Sequence, residues 1–354
     1  MFPFYGWKKT GLTALLVALA ISGCSRNTPV KPGGDKLPIS ETFYTFETVV
    51  TVKVYDEKVT EAHFAAIEQI LQDVELELNR ANTNSEIYRV NQAAGKNPVA
   101  VSETTFIAVK DAMDDAVASQ GVFDPSVGPL VDLWGVGKEG AKKPADADVK
   151  KALALVRYED VELNEAEHTV FLKRAGMSLD LGGTGKGYAA DRIADYLRSQ
   201  GFGSAIVDMG GNLLTVGLKP DGSEWKIGVQ DPDQARGATV GTLTIDGKAV
   251  VASGIYERFF IEDGVRYHHI MDTDTGYPAD NELASVTIVT DNAMKGEGLD
   301  NWMFCLGLEE GLKYVESRED VEAIFITKDR KVYVSSGLKG KLGMSSSEFT
   351  LVEE

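Results

Sequence analysis

Three short stretches of this chain gather residue types that can handle phosphate, protons or a hard cation. The loop Gly182-Gly183-Thr184-Gly185-Lys186-Gly187 opens a helical pattern at Tyr188–Ser199. Glycines let backbone N–H groups approach an anion closely, a helix N-terminus favours negative charge, and Lys186 adds a compact cation. It is not a Walker A loop, because the first glycine is missing and Gly187 stands where Ser or Thr would bind magnesium. Nor does it fit the dinucleotide fingerprint, whose last glycine lies one residue further on. A phosphate cradle is consistent with the physics, and the phosphate it serves is unspecified.

The second stretch runs from Tyr267 to Pro278 and holds two of the four histidines, His268 and His269, beside Asp272 and Asp274. Adjacent residues on a strand point to opposite faces, so at most one of these histidines serves a given pocket. The two-histidine spacing of a zinc protease helix is absent. The third stretch, Asp291 to Gly307, places Glu297, Asp300 and Asn301 within two turns of a helix start. Glu297 and Asn301 are four apart and share a face, offering two hard oxygens to Mg²⁺. The same acids also fit an ordinary helix start that complements the dipole.

These groups need elements to hold them. Asp180-Leu181-Gly182-Gly183 and Asp208-Met209-Gly210-Gly211 recur 28 residues apart, each after an apolar run. Between them Ala189, Ala190, Ile193, Ala194 and Leu197 form a helical stripe, giving a strand–loop–helix–strand unit with glycine turns at both strand ends. Such ends commonly receive ligands, although two tight turns would also demand glycine. Thr48–Tyr55 is β-branched and reads as a strand. Glu61–Asn79 and Thr104–Ser119 carry helical stripes, and a last helix is expected near Trp302–Val315, followed by strands at Glu322–Thr327 and Lys331–Ser335. Helices mixed with adjacent and crossover strands predict an α+β (mixed α/β) fold.

The N-terminus reads differently. Lys8 and Lys9 precede an uncharged run from Gly11 to Ile21. Eleven residues cover only ~16 Å, about half a bilayer core, which suits a secretory signal better than a spanning helix. The run ends in Ile21-Ser22-Gly23-Cys24, which resembles a bacterial lipobox, making residues 1–23 a lipoprotein signal peptide and Cys24 the lipidated residue. Residues 24–40 then read as a flexible tether and 41–354 as the folded domain. The formal charge is −18 over 354 residues, and loss of the signal removes two lysines and makes it −20. That field disfavours nucleic acid as a partner. Two cysteines exclude a disulfide scaffold and a four-cysteine zinc site, and Cys305 reads as core packing.

Together and in this order, the segments resemble the ApbE-like FAD:protein FMN transferase family from about Thr48 to Gly340. The resemblance is carried by Ser85-Glu86-Ile87-Tyr88-Arg89-Val90-Asn91, by Phe123-Asp124-Pro125-Ser126-Val127-Gly128-Pro129-Leu130 with Leu133-Trp134-Gly135, and by Ser178-Leu179-Asp180-Leu181-Gly182-Gly183. Lys186-Gly187-Tyr188-Ala189 with Asp191, Asp208-Met209-Gly210-Gly211-Asn212, and the stretch from His269-Ile270 to Thr275-Gly276-Tyr277-Pro278 complete it.

The resemblance implies a two-lobed fold of mixed sheets with a flavin cleft between the lobes. It implies that FAD is the substrate, that Mg²⁺ is the cofactor, and that FMN passes to a Thr or Ser hydroxyl of a partner protein with release of AMP. By resemblance, Asp124, Trp134, Gly182, Gly183, Thr184, Lys186, Asp208, Gly210, Gly211, Asn212 and His269 bind the flavin nucleotide. His269 and Glu297 are the catalytic candidates, and the backbone carbonyl of Gly185 with Glu297 and Asn301 would hold the metal.

The expected setting is the extracytoplasmic side of a bacterial envelope, with a lipid anchor in the membrane. An FAD pyrophosphatase and a non-catalytic FAD-binding lipoprotein are the alternatives. Where the family usually has Asp and Thr as metal ligands, this chain has Glu297 and Asn301. Its Phe46-Glu47-Thr48 replaces Met-Gly-Thr, and Asp272-Thr273 replaces Asp-Pro.

Overall fold

The computed structural model describes residues 37–352. The expected signal peptide, Cys24 and most of the expected tether lie outside the described residues. Strand Ile39–Thr45 already includes Ile39 and Ser40, so the folded part begins slightly before the expected end of the tether.

Nine strands form one twisted layer in the order Ile39–Thr45, Thr48–Val54, Ala205–Met209, Asn212–Val216, Ala249–Gly254, Leu283–Thr290, Val321–Thr327, Lys331–Val334 and Thr350–Leu351. Neighbours are antiparallel except for the last pair. Strand alternation explains why both faces are covered. Ala323 and Phe325 face one way, toward Leu299, Met303 and Phe304, while Ile324 and Ile326 face the other, toward Ile227 and Leu243. Helices therefore pack on one face, and a three-stranded sheet of Trp225–Gln230, Thr239–Ile245 and Leu342–Met344 covers the other. The architecture is α+β.

Helix Glu61–Leu78 buries the expected stripe, Phe64, Ile67, Leu71, Val74 and Leu78, against Val50, Val52 and Val207 of the sheet. Helix Gly185–Ser199 starts three residues before the expected boundary, inside the glycine loop. The single helix expected near Trp302–Val315 is two, Ala293–Leu306 and Leu308–Glu316. Gly307 divides them with a φ of 79°, a left-handed value that interrupts an α-helix and suits glycine.

The contact between helices Gly185–Ser199 and Ala293–Leu306 fixes the geometry of the motif residues. A side chain at Gly187 would overlap the carbonyl of Ala293 and stand 2.6 Å from Cα of Met294, so only glycine lets these backbones meet. Asp191, one turn on, accepts hydrogen bonds from the N–H groups of Ala293 and Met294, both at 2.9 Å. Its carboxylate thus satisfies two orphan donors at the start of helix Ala293–Leu306. Burial pushes the Asp191 pKa up to about 6 despite those bonds. This lock sets Lys186 of one helix opposite Glu297 of the other.

Candidate active-site cleft

A cavity of about 740 Å³ opens along this junction. Its walls come from the hairpin tip at Glu47 and Thr48, the Val122–Val136 segment, both Asp-x-Gly-Gly turns, the strand end around Ala252, His269–Thr273 and the face of Ala293–Leu306. Asp124, Trp134, Gly182, Gly183, Lys186, Asp208, Gly210, Gly211, Asn212, His269, Glu297 and Asn301 all line it. Segments far apart in sequence therefore converge as the motifs suggested.

Glu297 is the most tightly held group. It is 1% exposed, and its Oε1 lies 2.6 Å from Lys186 Nζ and accepts from Asn212 Nδ2 at 2.8 Å. Its Oε2 accepts from the N–H of Gly187 at 2.7 Å. A protein carboxylate therefore occupies the anion position at the N-terminus of helix Gly185–Ser199. This corrects the expectation that the glycine loop is an open phosphate cradle. The N–H of Gly182 goes to Asp180 Oδ1 at 2.8 Å, and those of Thr184 and Gly185 go to the Leu181 carbonyl at 3.0 and 2.8 Å. Four of the six loop donors are engaged within the protein, so attraction for an incoming anion falls chiefly on Lys186.

Two expected site residues are not among those that line the cavity. Thr184 is fully buried and its hydroxyl donates back to the Leu181 carbonyl at 3.3 Å. Gly185 is not among the residues lining the cavity, and a Cβ there would lie 4.0 Å from Leu78 Cδ1. Two others reach the cleft with their polar atoms engaged. Asp124 accepts from the N–H groups of Ser126 and Tyr158, which makes it a turn brace, and burial raises its pKa. Trp134 donates from Nε1 to the Gly276 carbonyl at 2.9 Å and sits among Phe260, Tyr267 and Tyr277.

The histidine pair separates as strand geometry requires. His268 Nε2 lies 2.9 Å from the Ala279 carbonyl, and its ring packs edge-on to Phe304. His269 lines the cleft, and its Nδ1 is buried without a partner. Burial, followed by the charges of His268, Arg258 and Lys186, pushes the His269 pKa down to about 3. The imidazole is therefore held neutral across the range in which an exposed histidine titrates.

On sequence grounds Asp300 is at most a substitute ligand, facing away from Asn301. The structure places it on the cleft wall, 1% exposed, with its Oδ1 unpartnered. Burial, then the neighbouring Glu297 charge, raises its pKa well above the usual carboxylate range, opposed by a hydrogen bond from Ser253. Arg236, Arg258, Ser253 and Tyr256 also line the cleft, and sequence reasoning misses them. The one signal for them is the small-residue strand end Ala252-Ser253-Gly254, where Gly254 leaves room for the Tyr256 ring to fold back. Cys305 packs against the core, as expected, and also borders the cavity, and burial raises its thiol pKa to about 12.

These groups fit a divalent cation. Two buried carboxylates face one lysine, and one carboxylate oxygen lacks any partner, which leaves an uncompensated demand for positive charge. Among the described residues no three histidine, cysteine or carboxylate side chains are grouped so that they alone could hold a metal ion. Magnesium is typically held by one or two carboxylates together with substrate phosphates, and not by an all-protein cage.

Known proteins show the family of the chain that carries this cleft. Residues 46–325 match the ApbE family. A Klebsiella pneumoniae FAD:protein FMN transferase is 39% identical over 306 residues, covering 86% of this chain and 94% of the relative. The corresponding Treponema pallidum protein is 34% identical, covering 86% and 88%. The solved structure of the flavin transferase ApbE from Vibrio cholerae superposes with a TM-score of 0.78 at 30% identity, covering 86% of this chain and 99% of that one. With the family match spanning the turns, the histidine and the Glu297 helix alike, the chain belongs to the ApbE family.

Proposed function

We propose that this chain is an FAD:protein FMN transferase that moves FMN from FAD onto a Thr or Ser hydroxyl of a partner protein. The observation that carries the reading is the convergence of Lys186, Glu297, Asn212 and His269 in one cleft of a chain belonging to this family. The hydroxyl oxygen forms a bond to the FMN-side phosphorus, the P–O bond to AMP breaks, and FMN remains as a phosphodiester. Positioning and charge neutralisation dominate such a transfer. Lys186 supplies positive charge beside the pyrophosphate. Mg²⁺ bound beside Glu297, Asp300 and Asn301 would supply further neutralisation.

His269 is the group positioned to take the hydroxyl proton. Its ring is neutral and its Nδ1 has no competing partner. An anion bound alongside would favour the protonated ring, raising its basicity when substrate is present. Two aromatic walls, Tyr256 and Phe123, help keep water from the reaction.

The N-terminal reading places this reaction on the extracytoplasmic side of a bacterial envelope. Lys8, Lys9, the Gly11–Ile21 run and the lipobox-like Ile21–Cys24 support a Cys24 lipid anchor, and two acyl chains suffice for stable attachment. Among the described residues no helix is long and apolar enough to cross a membrane. Cys24→Ser in the full chain should abolish incorporation of labelled fatty acid and detergent-phase partitioning; labelling that persists would refute the anchor.

The transfer is tested by incubating the protein with FAD, Mg²⁺ and a threonine-bearing acceptor. The expected result is flavin fluorescence on the acceptor that survives denaturing electrophoresis. Tight FAD binding with no covalent flavin at any Mg²⁺ concentration would overturn it.

A further inference from the structure

We infer that Asp300, and not Glu297, presents the first protein oxygen that a divalent cation takes in this cleft. The inference rests on the cation site of the proposed transferase, and it follows from how the two carboxylates are occupied. Glu297 sits where the family pattern has its acidic ligand, yet both its oxygens are already held. Lys186 Nζ and Asn212 Nδ2 meet Oε1, and the Gly187 N–H meets Oε2. A cation reaching Oε1 must displace an ammonium at 2.6 Å, against like-charge repulsion.

Asp300 offers the opposite situation. It is one helical step short of a turn from Glu297, so the two side chains share a face. It is equally buried and lines the same cavity, but its Oδ1 meets no donor. A buried carboxylate oxygen without a partner is destabilising until something cationic reaches it. Ser253 lines the cavity beside this carboxylate. In this assignment Glu297 is a positioning group: it anchors Lys186 and joins helix Gly185–Ser199 to helix Ala293–Leu306, while Asp300 takes the metal.

The test uses the full-length protein and Mn²⁺ alone, without FAD, with free Mn²⁺ followed by its paramagnetic resonance signal. Asp300→Asn should weaken Mn²⁺ binding at least ten-fold, and more than Glu297→Gln does. Mn²⁺ should raise the Tm of the unsubstituted protein but not that of Asp300→Asn, whose metal-free Tm should be the higher of the two. Unchanged Mn²⁺ affinity in Asp300→Asn, or a larger loss in Glu297→Gln, would overturn the assignment. Both variants are near-isosteric, and circular dichroism confirms that each is folded. Because no flavin is involved, failure of FMN transfer in the separate acceptor assay would sink the functional reading without deciding this one.

Discussion

The two Asp-x-Gly-Gly turns share a sequence pattern, line the same cleft, and are built differently. Asp208–Gly211 ends in a two-residue hairpin loop, Gly210-Gly211, between strands paired at Met209 and Asn212. Gly210 and Gly211 have φ values of 73° and 109°, and Asp208 Oδ1 accepts from the Gly211 N–H at 2.7 Å. Asp180–Gly183 instead leads into a helix, and neither of its glycines has a positive φ. There Asp180 braces the Gly182 N–H and also pairs with the part-buried Arg80 at 3.3 Å. In one turn glycine answers a backbone demand; in the other it answers a demand for space beside Asn301, whose Nδ2 would lie 3.2 Å from a side chain at Gly183. Identical letters thus carry a folding constraint in one place and a site constraint in the other.

The largest expected effect tests the backbone side. Gly210→Ala forces a left-handed alanine whose Cβ would overlap Thr48 Oγ1, and should destabilise the fold by about 2–4 kcal/mol in denaturant unfolding. Adding Thr48→Ala should recover about half, leaving the ~1 kcal/mol backbone strain.

Next, Asp180→Ala should cost about 1–3 kcal/mol, because it strips a partner from Arg80, whose Nε is already unsatisfied. Asp208→Ala, which loses one turn bond, should cost about 1 kcal/mol. Equal losses would erase the proposed difference between the turns.

Gly183→Ala comes third. It should change stability by less than about 1 kcal/mol yet weaken Mn²⁺ and FAD binding roughly ten-fold, because Asn301 must move. Loss of stability with unchanged binding would contradict the site role.

The smallest effect concerns pH. The folded pKa of His269, about 3, lies below its ordinary value of 6.5, so protonation favours the unfolded chain. Its contribution to stability is complete above pH 6.5 and is lost as pH falls toward 3. His269→Asn should therefore reduce the stability lost between about pH 6.5 and 5. The profile of kcat/KM should show no inflection near pH 6.5 from this residue in the free enzyme; such an inflection would place His269 in a more open setting.

Much of this was legible because periodicity and turn chemistry are local. The Phe64–Leu78 stripe, the Thr48 strand and the split between His268 and His269 follow from side-chain directions alone. The motif residues met in one cleft because the resemblance to the family supplied their long-range arrangement. What escaped reading depended on packing between distant segments. Gly187 looked like a failed magnesium ligand, and its role emerged only with Ala293 and Met294 against it. Glu297 looked like a free metal ligand until Lys186, Asn212 and Gly187 were seen around it. Arg236, Arg258 and Tyr256 belong to no recognisable pattern and reach the cleft through loop paths that local rules do not specify.

The central claim is that this cleft passes FMN from FAD to a protein hydroxyl. Its most direct test counts AMP released against FMN covalently bound when the full chain acts on FAD, Mg²⁺ and a threonine-bearing acceptor. The account predicts a one-to-one ratio that collapses when the acceptor threonine is replaced. AMP accumulating without bound FMN would make the protein a pyrophosphatase and contradict the account.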